Sequence, residues 1–207
     1  DYGADYSLPG MIYGKVLRSP HAHARINSID STKAEALDGV LAVCCRDDFP
    51  ILDDVVVEGV VLPIDIKTHS KNVMAREKAL YHGHAVAAVA ARTEEIAGRA
   101  LDLIEVDYKI LPHVLSLDDA LAMDAPLLEE TGTKGESSNI ALRNIMERGN
   151  LEKGFASADL IIEATFTTPS IHQGYIEPHA CVARVNEDKK AEIWCSTQGA
   201  FAVQTYT

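Results

Sequence analysis

The chain has 207 residues, 47% of them hydrophobic and 24% charged, which suits one globular domain or two small ones with a core of their own. Its formal net charge of -12 repels the phosphates of nucleic acids and anionic membranes, so neither is expected as a partner. No signal peptide is visible and the apolar runs fall short of the roughly 20 residues that span a bilayer, so a cytoplasmic location is expected.

In chain order, residues 11–18 have strand-like composition, rich in β-branched and aromatic side chains. Ala22, Ala24 and Ile26 alternate with His23 and Arg25, the pattern of a half-buried strand. Thr32 and Glu35 have capping-box spacing, which predicts a short helix over 33–38, ended by Gly39. The apolar run Val40 to Cys45 predicts a buried strand.

The clearest unit spans 85–110. Ala85 to Ala91 is short and apolar, as a strand would be. Thr93 is a good N-cap, and Glu94 and Glu95 place carboxylates where the helix dipole favours them. Ala97, Ala100, Leu101 and Ile104 then form a helical stripe. From Ile104 the period becomes two, with Val106, Tyr108 and Ile110 opposed to Glu105, Asp107 and Lys109. Strand–helix–strand follows, closed by Leu111-Pro112.

Residues 125–149 read as a linker, because Gly, Ser and Glu cluster there without periodicity. A short helix is expected within Gly149–Ala158, with Leu151 and Phe155 on one side. A strand is expected over Leu160–Thr167. Cys181–Val185 and Ala191–Ser196 read as two strands of a hairpin, turning at 186–190. The expected class is α+β: a first domain over 1–124 built on a mixed sheet, a linker over 125–149, and the start of a second domain over 150–207. Both ends, Asp1 and Thr207, read as cuts through a longer chain. The second segment is therefore expected to expose apolar surface.

The four cysteines Cys44, Cys45, Cys181 and Cys195 form no C-x-x-C pair, which leaves no zinc-ribbon, thioredoxin-like or iron–sulfur pattern. Cys44 and Cys45 are expected as buried thiols. The spacing of His21/His23 and of His82/His84 puts each pair on one face of a strand. A third ligand is not supplied locally, so solvated or hydrogen-bonded histidines are expected and no metal site is assigned. Gly132 to Ser137 superficially suggests a phosphate loop, but Glu136 stands where the Walker pattern needs lysine and would repel phosphate. His172, Glu177 and His179 are candidate acid–base groups whose chemistry alone equally suits structural roles. No residue is assigned as catalytic on these grounds.

Six blocks, in order, resemble one family. They are Arg18–Ile26, Tyr81–Ala90, Ile104–Tyr108 with Leu111-Pro112, Gly149–Phe155, His172–Ala180 and Ser196-Thr197-Gln198. The family is that of the molybdenum hydroxylase large subunits, the xanthine dehydrogenases and aldehyde oxidases. Asn150 stands where aspartate is commoner, and Ala200 where proline often follows S-T-Q. The family's G-G-F-G-G loop and its C-terminal general-base glutamate are absent from this chain.

The resemblance implies an α/β hammerhead domain followed by the N-terminal part of a molybdenum-cofactor-binding domain. It implies an oxidoreductase in which molybdenum-bound hydroxide attacks a heterocycle or an aldehyde and hydride passes to a sulfido ligand. It implies a molybdenum–molybdopterin cofactor in the cytosine dinucleotide form. Electrons would leave through [2Fe–2S] clusters to FAD, both on partner chains or domains. The implied partners are the rest of the molybdenum subunit, an Fe–S subunit, an FAD subunit and a small-molecule substrate. Gln198, of the S-T-Q motif, would lie beside the molybdenum and donate a hydrogen bond to its oxo ligand. The chain by itself is expected to be inactive. The other reading is a non-catalytic hammerhead module that serves only the docking of partner subunits.

Overall fold

A computed structural model of the chain describes residues 2–53, 56–57, 64–128, 139–140 and 145–206. A 3-10 turn over Gly3–Asp5 precedes β1 (Tyr13–Arg18), β2 (Ala24–Asp30), α1 (Thr32–Glu35) and β3 (Val40–Cys45). After a second 3-10 turn at Arg46–Asp48 come β4 (Val56–Val57), β5 (Ile64–Asp65), α2 (Ile66–Asn72) and β6 (Lys78–Ala79). Then follow β7 (Ala85–Ala91), α3 (Glu94–Leu101), β8 (Glu105–Ile110) and α4 (Leu117–Leu121). The C-terminal part holds α5 (Leu151–Ala156), β9 (Cys181–Val185), β10 (Ala191–Cys195) and α6 (Ala200–Tyr206).

Two three-stranded sheets organise the first part, in the orders β1-β7-β3 and β6-β2-β8. Every strand pairing among the described residues is antiparallel, so the expected mixed sheet is not what forms. The strand–helix–strand unit is present, but β7 and β8 enter different sheets. The antiparallel neighbours that β7 and β8 find come from earlier in the chain, β1 and β3 for one and β2 for the other.

Small side chains set the core. Ala87, Val89 and Ala91 of β7 pack with Ala97 and Ala100 of α3, Ala34 of α1 and Ile104. Alanine on both surfaces lets helix and sheet approach closely, and the apolar area removed from water drives the association. Val86, on the other face of β7, joins Ile26, Ala75 and Ala79. Helix α3 starts as its sequence dictates, with Thr93 Oγ1 accepting the Ile96 N–H at 3.2 Å.

Helix α1 starts differently. Its N-cap is Ser31, and no capping box forms from Thr32. Asp30 Oδ1 instead accepts the Thr32 N–H at 3.0 Å, so the orphan donor is satisfied from outside the helix. A hydrogen bond from the Thr32 side chain, and then this one from its backbone, hold the Asp30 carboxyl below the usual carboxylate range. Gly39 follows with φ +89, and a Cβ there would stand 2.7 Å from Ile96 Cδ1. Gly39→Ala is therefore expected to cost about 2 kcal/mol, from left-handed backbone strain and displacement of Ile96. A loss under about 0.5 kcal/mol in chemical denaturation would show that the turn relaxes freely.

Three further elements differ from expectation. β3 is a half-buried edge strand, with Leu41 50% exposed and Cys44 and Cys45 only partly buried. An edge strand is covered by a neighbour on one side only, so its apolar run does not by itself secure burial. Residues 160–167 form no strand, because no second strand pairs with them among the described residues. Leu160, Ile162 and Phe166 are 75%, 82% and 90% exposed. The apolar stretch that follows Gly199, for which the sequence predicts no element, is helical over Ala200–Tyr206.

Most of the 125–149 linker, at 129–138 and 141–144, lies outside the described residues, as does the Gly132–Ser137 motif. No helix among the described residues is long and apolar enough to cross a membrane.

Candidate functional site

The N-terminal turn reaches the β9–β10 hairpin. The Tyr2 N–H is taken by Asp5 Oδ2 at 2.8 Å, which closes the turn. The Gly3 N–H then donates to Glu177 Oε1 at 3.2 Å, across 174 positions of sequence. Gly3 is buried, and a Cβ on it would lie 3.2 Å from Ala180 O, so only glycine fits without displacing backbone. Tyr6 stacks on Trp194 at 5.7 Å between centroids. Arg184 pairs with Glu192 across the hairpin and lies 5.7 Å from the Trp194 ring. A cation held there adds to the stacking that fixes the indole.

These contacts frame a cleft of 320 Å³ lined by Gly3, Tyr6, Glu177, Trp194, Cys195 and Thr197, among others. The chain leaves β10 at the cleft and turns into α6. Ser196 Oγ donates to Pro178 O at 3.1 Å, and the Gly199 N–H donates to Thr197 Oγ1 at 3.0 Å. Gln198 sits between them, exposed, with its amide making no hydrogen bond among the described residues. The turn is thus pinned on both sides of a side chain that is itself unengaged.

The other candidates separate. Glu177 is half-buried and committed to Gly3. His172 and His179 are exposed on either side of Tyr175, at 5.0 and 4.5 Å from its ring. The Gly174 N–H donates to His172 Nδ1 at 3.0 Å. Among the described residues no hydrogen bond joins a nucleophile to a base here, and the arrangement suits holding and orienting a group.

The histidine pairs are not on single strand faces, because 21–23 and 81–83 are bends and turns that precede β2 and β7. His84 is buried, with Nδ1 accepting the Leu80 N–H at 3.3 Å and Nε2 facing Asn72 O at 3.0 Å. Accepting at Nδ1 places the proton on Nε2. Tyr81 stacks on its ring at 4.5 Å, while His82 is exposed. His23 is also buried, its Nδ1 2.7 Å from Pro112 O, and His21 meets the Tyr108 ring edge-on. Burial pushes the Tyr108 phenol up. The two histidine segments interlock through Ser19 N–H to His84 O and Gly83 N–H to Ser19 O, both 2.8 Å. Among the described residues no three His, Cys, Asp or Glu side chains cluster as metal ligands.

Sequence reasoning missed Gly3, Tyr6 and Trp194. No local signal marks them, since their partnership is long-range; only the aromatic character of Tyr6 and Trp194 hints at a buried contact.

Residues 1–112 match the family model described as aldehyde oxidase and xanthine dehydrogenase, a/b hammerhead domain. Residues 133–207 match the model for the molybdopterin cofactor-binding domain. The chain is 38% identical to a probable xanthine dehydrogenase subunit of Bacillus subtilis, over 97% of this chain and 25% of that protein. It is 34% identical to the carbon monoxide dehydrogenase large chain of Afipia carboxidovorans, over 99% of this chain and 26% of that one. In structure it superposes on reconstituted CO dehydrogenase from Oligotropha carboxidovorans with a TM-score of 0.77, at 31% identity, covering 100% of this chain and 26% of the other. Quinoline 2-oxidoreductase from Pseudomonas putida gives a TM-score of 0.73 at 30% identity, covering 99% of this chain and 25% of the other. The chain thus spans about a quarter of the length of these two curated relatives.

Proposed function

This chain belongs to the aldehyde oxidase and xanthine dehydrogenase family, and from that premise we propose that it serves a molybdenum-dependent oxidoreductase as hammerhead domain and leading part of the cofactor-binding domain. The observation that carries the reading is the pinned turn at Ser196–Gly199, which presents a free neutral amide beside a cleft. That arrangement fits a prosthetic group held by hydrogen bonds. A glutamine N–H can support an electron-rich group without adding charge, and a turn fixed at both ends keeps it in place.

Gln198 is the residue that would contact the molybdenum–molybdopterin cofactor. Glu177, by holding Gly3, keeps the N-terminal turn as one wall of the cleft. Tyr6, stacked on Trp194, forms another wall. The bound cofactor would supply the redox chemistry that hydroxylates a heterocycle or an aldehyde with oxygen from water. The protein's own residues would bind, orient and keep the site dry.

The cytosine dinucleotide form of the cofactor, and electron transfer through [2Fe–2S] clusters to FAD, belong to the same proposal. The absence of any closely spaced cysteine set supports placing the clusters on another chain or domain. The relatives' names, one a subunit and one a large chain, support an assembly with further subunits, which in this proposal carry the Fe–S clusters and the FAD. The four free thiols fit a reducing cytoplasm. The same proposal divides the chain into domains near 1–124 and 150–207 with a linker at 125–149; the two matched segments leave 113–132 between them, which supports that linker over 125–132 alone.

The test is to purify the protein that carries this chain and measure molybdenum and pterin content. It is then assayed with xanthine, hypoxanthine, nicotinate, quinoline, an aldehyde and carbon monoxide in ¹⁸O-labelled water. Stoichiometric molybdenum and ¹⁸O in one product are expected. A metal-free protein, inert with all six, would leave only the docking role.

A further inference from the structure

We propose that Cys181 and Cys195 form a reversible dithiol–disulfide site, closed across the open end of the β9–β10 hairpin by a low-molecular-weight disulfide.

The register carries the argument. Cys195 is the direct cross-strand partner of Cys181, and directly opposed residues of an antiparallel pair project to the same face. The position within the hydrogen-bond alternation is also fixed. Ser196 N–H donates to Ala180 O at 3.4 Å and Asn186 N–H donates to Lys190 O at 3.0 Å. Both pairs are of the hydrogen-bonded kind, and counting along the register puts 181 and 195 in the alternate, non-hydrogen-bonded kind. There the Cα atoms lie about 4.5 Å apart, within the roughly 4.4–6.8 Å that a disulfide spans. No inter-strand hydrogen bond runs between the two residues, so joining their sulfurs breaks none.

Access is graded in a useful way. Cys181 is exposed and Cys195 half-buried, and both are free thiols. Cys181 therefore meets the oxidant first. Its thiolate attacks one sulfur of R–S–S–R, the S–S bond breaks, and the first thiolate RS⁻ leaves. The Cys195 thiolate then attacks the Cys181 sulfur of the mixed disulfide, and the second RS⁻ leaves. The two cysteine protons end on the two released thiols. The dithiol has lost two electrons and R–S–S–R has gained them. Burial, and the neighbouring Cys195 thiol, hold the Cys181 thiol above its ordinary range.

Cys44 and Cys45 offer a contrast. Their cross-strand partners are Ala88 and Ala87, and as successive strand residues they point to opposite faces. The consequence of closing the other pair falls on the candidate site, because Cys195 lines the cleft and Ser196, Thr197 and Gln198 follow it directly. A disulfide would tie the base of that turn to β9.

The test uses the purified protein that carries this chain, with its cofactor, equilibrated in buffers of graded reduced-to-oxidised glutathione. Remaining thiols are trapped with a maleimide and peptides are weighed. The expected result is a Cys181–Cys195 peptide pair that lacks two hydrogens and takes no maleimide. Dithiothreitol should restore it to two labelled peptides, while Cys44 and Cys45 stay labelled throughout. In Cys195→Ser the resolving thiol is gone, and a glutathione adduct should accumulate on Cys181. Maleimide on both cysteines at every buffer ratio, or a lasting glutathione adduct on Cys181 of the unmodified sequence, overturns the proposal. Should Cys195→Ser fail to fold, the peptide masses of the unmodified sequence decide alone.

Discussion

Gln198→Ala in the assembled enzyme is expected to lower turnover by about 10²-fold, the loss typical of one preorganised donor in a water-poor site. Molybdenum content should stay unchanged, because the side chain would orient the cofactor and not anchor it. Gly199 N–H is fixed on Thr197 Oγ1 and Ser196 Oγ on Pro178 O, so the backbone at 198 is held while the amide is free. The neighbouring bonds do not involve the Gln198 side chain, so truncating it leaves the turn intact. Gln198→Glu sharpens the test. It keeps the length but replaces a neutral donor by a charged acceptor, and should cost at least as much. Unchanged turnover in both variants would remove Gln198 from the site.

His84→Ala is expected to cost about 3 kcal/mol of stability, which combines the lost buried ring with two unsatisfied backbone groups. Those groups are the Leu80 N–H and the Asn72 C=O, both served by the one imidazole. The ring also lies against Tyr81, and His84 O receives the Ser19 N–H that joins the two histidine segments. Exposed His82, two residues away, is the control, and His82→Ala should stay within about 0.5 kcal/mol. Hydrogen exchange at the β7 amides would read the difference, since β7 begins at the next residue. A His84→Ala loss under about 1 kcal/mol would mean that water replaces both bonds.

The family resemblance read from six blocks is matched by two domain models and by relatives at 38% and 34% identity. The reading of Gln198 as a cofactor contact rests on that resemblance together with the pinned turn, and the alanine variant decides it. The histidine pairs show where spacing alone misleads. An i, i+2 pair shares a face only if the backbone is a strand, and at 21–23 and 81–83 it is not. His84 and His23 therefore turn inward as hydrogen-bonding core residues, while His82 stays outside.

What the sequence determined by itself is what depends on neighbours in the chain. Thr93 caps α3, the period-two pattern makes β8, Asn150 accepts the Lys153 N–H at 2.8 Å to start α5, and the 186–190 turn closes the hairpin. Each rests on groups within a few residues of one another, where the backbone leaves little choice. What only the tertiary structure decided is which strands pair and which segments meet. The strand–helix–strand unit divides between two antiparallel sheets, β3 takes an edge, and Leu160–Thr167 finds no partner strand among the described residues. Gly3 reaches Glu177 and Tyr6 reaches Trp194 from the far end of the chain. Local pattern fixes the shape of a segment, but the free energy of burying one segment against another depends on surfaces that are distant in sequence.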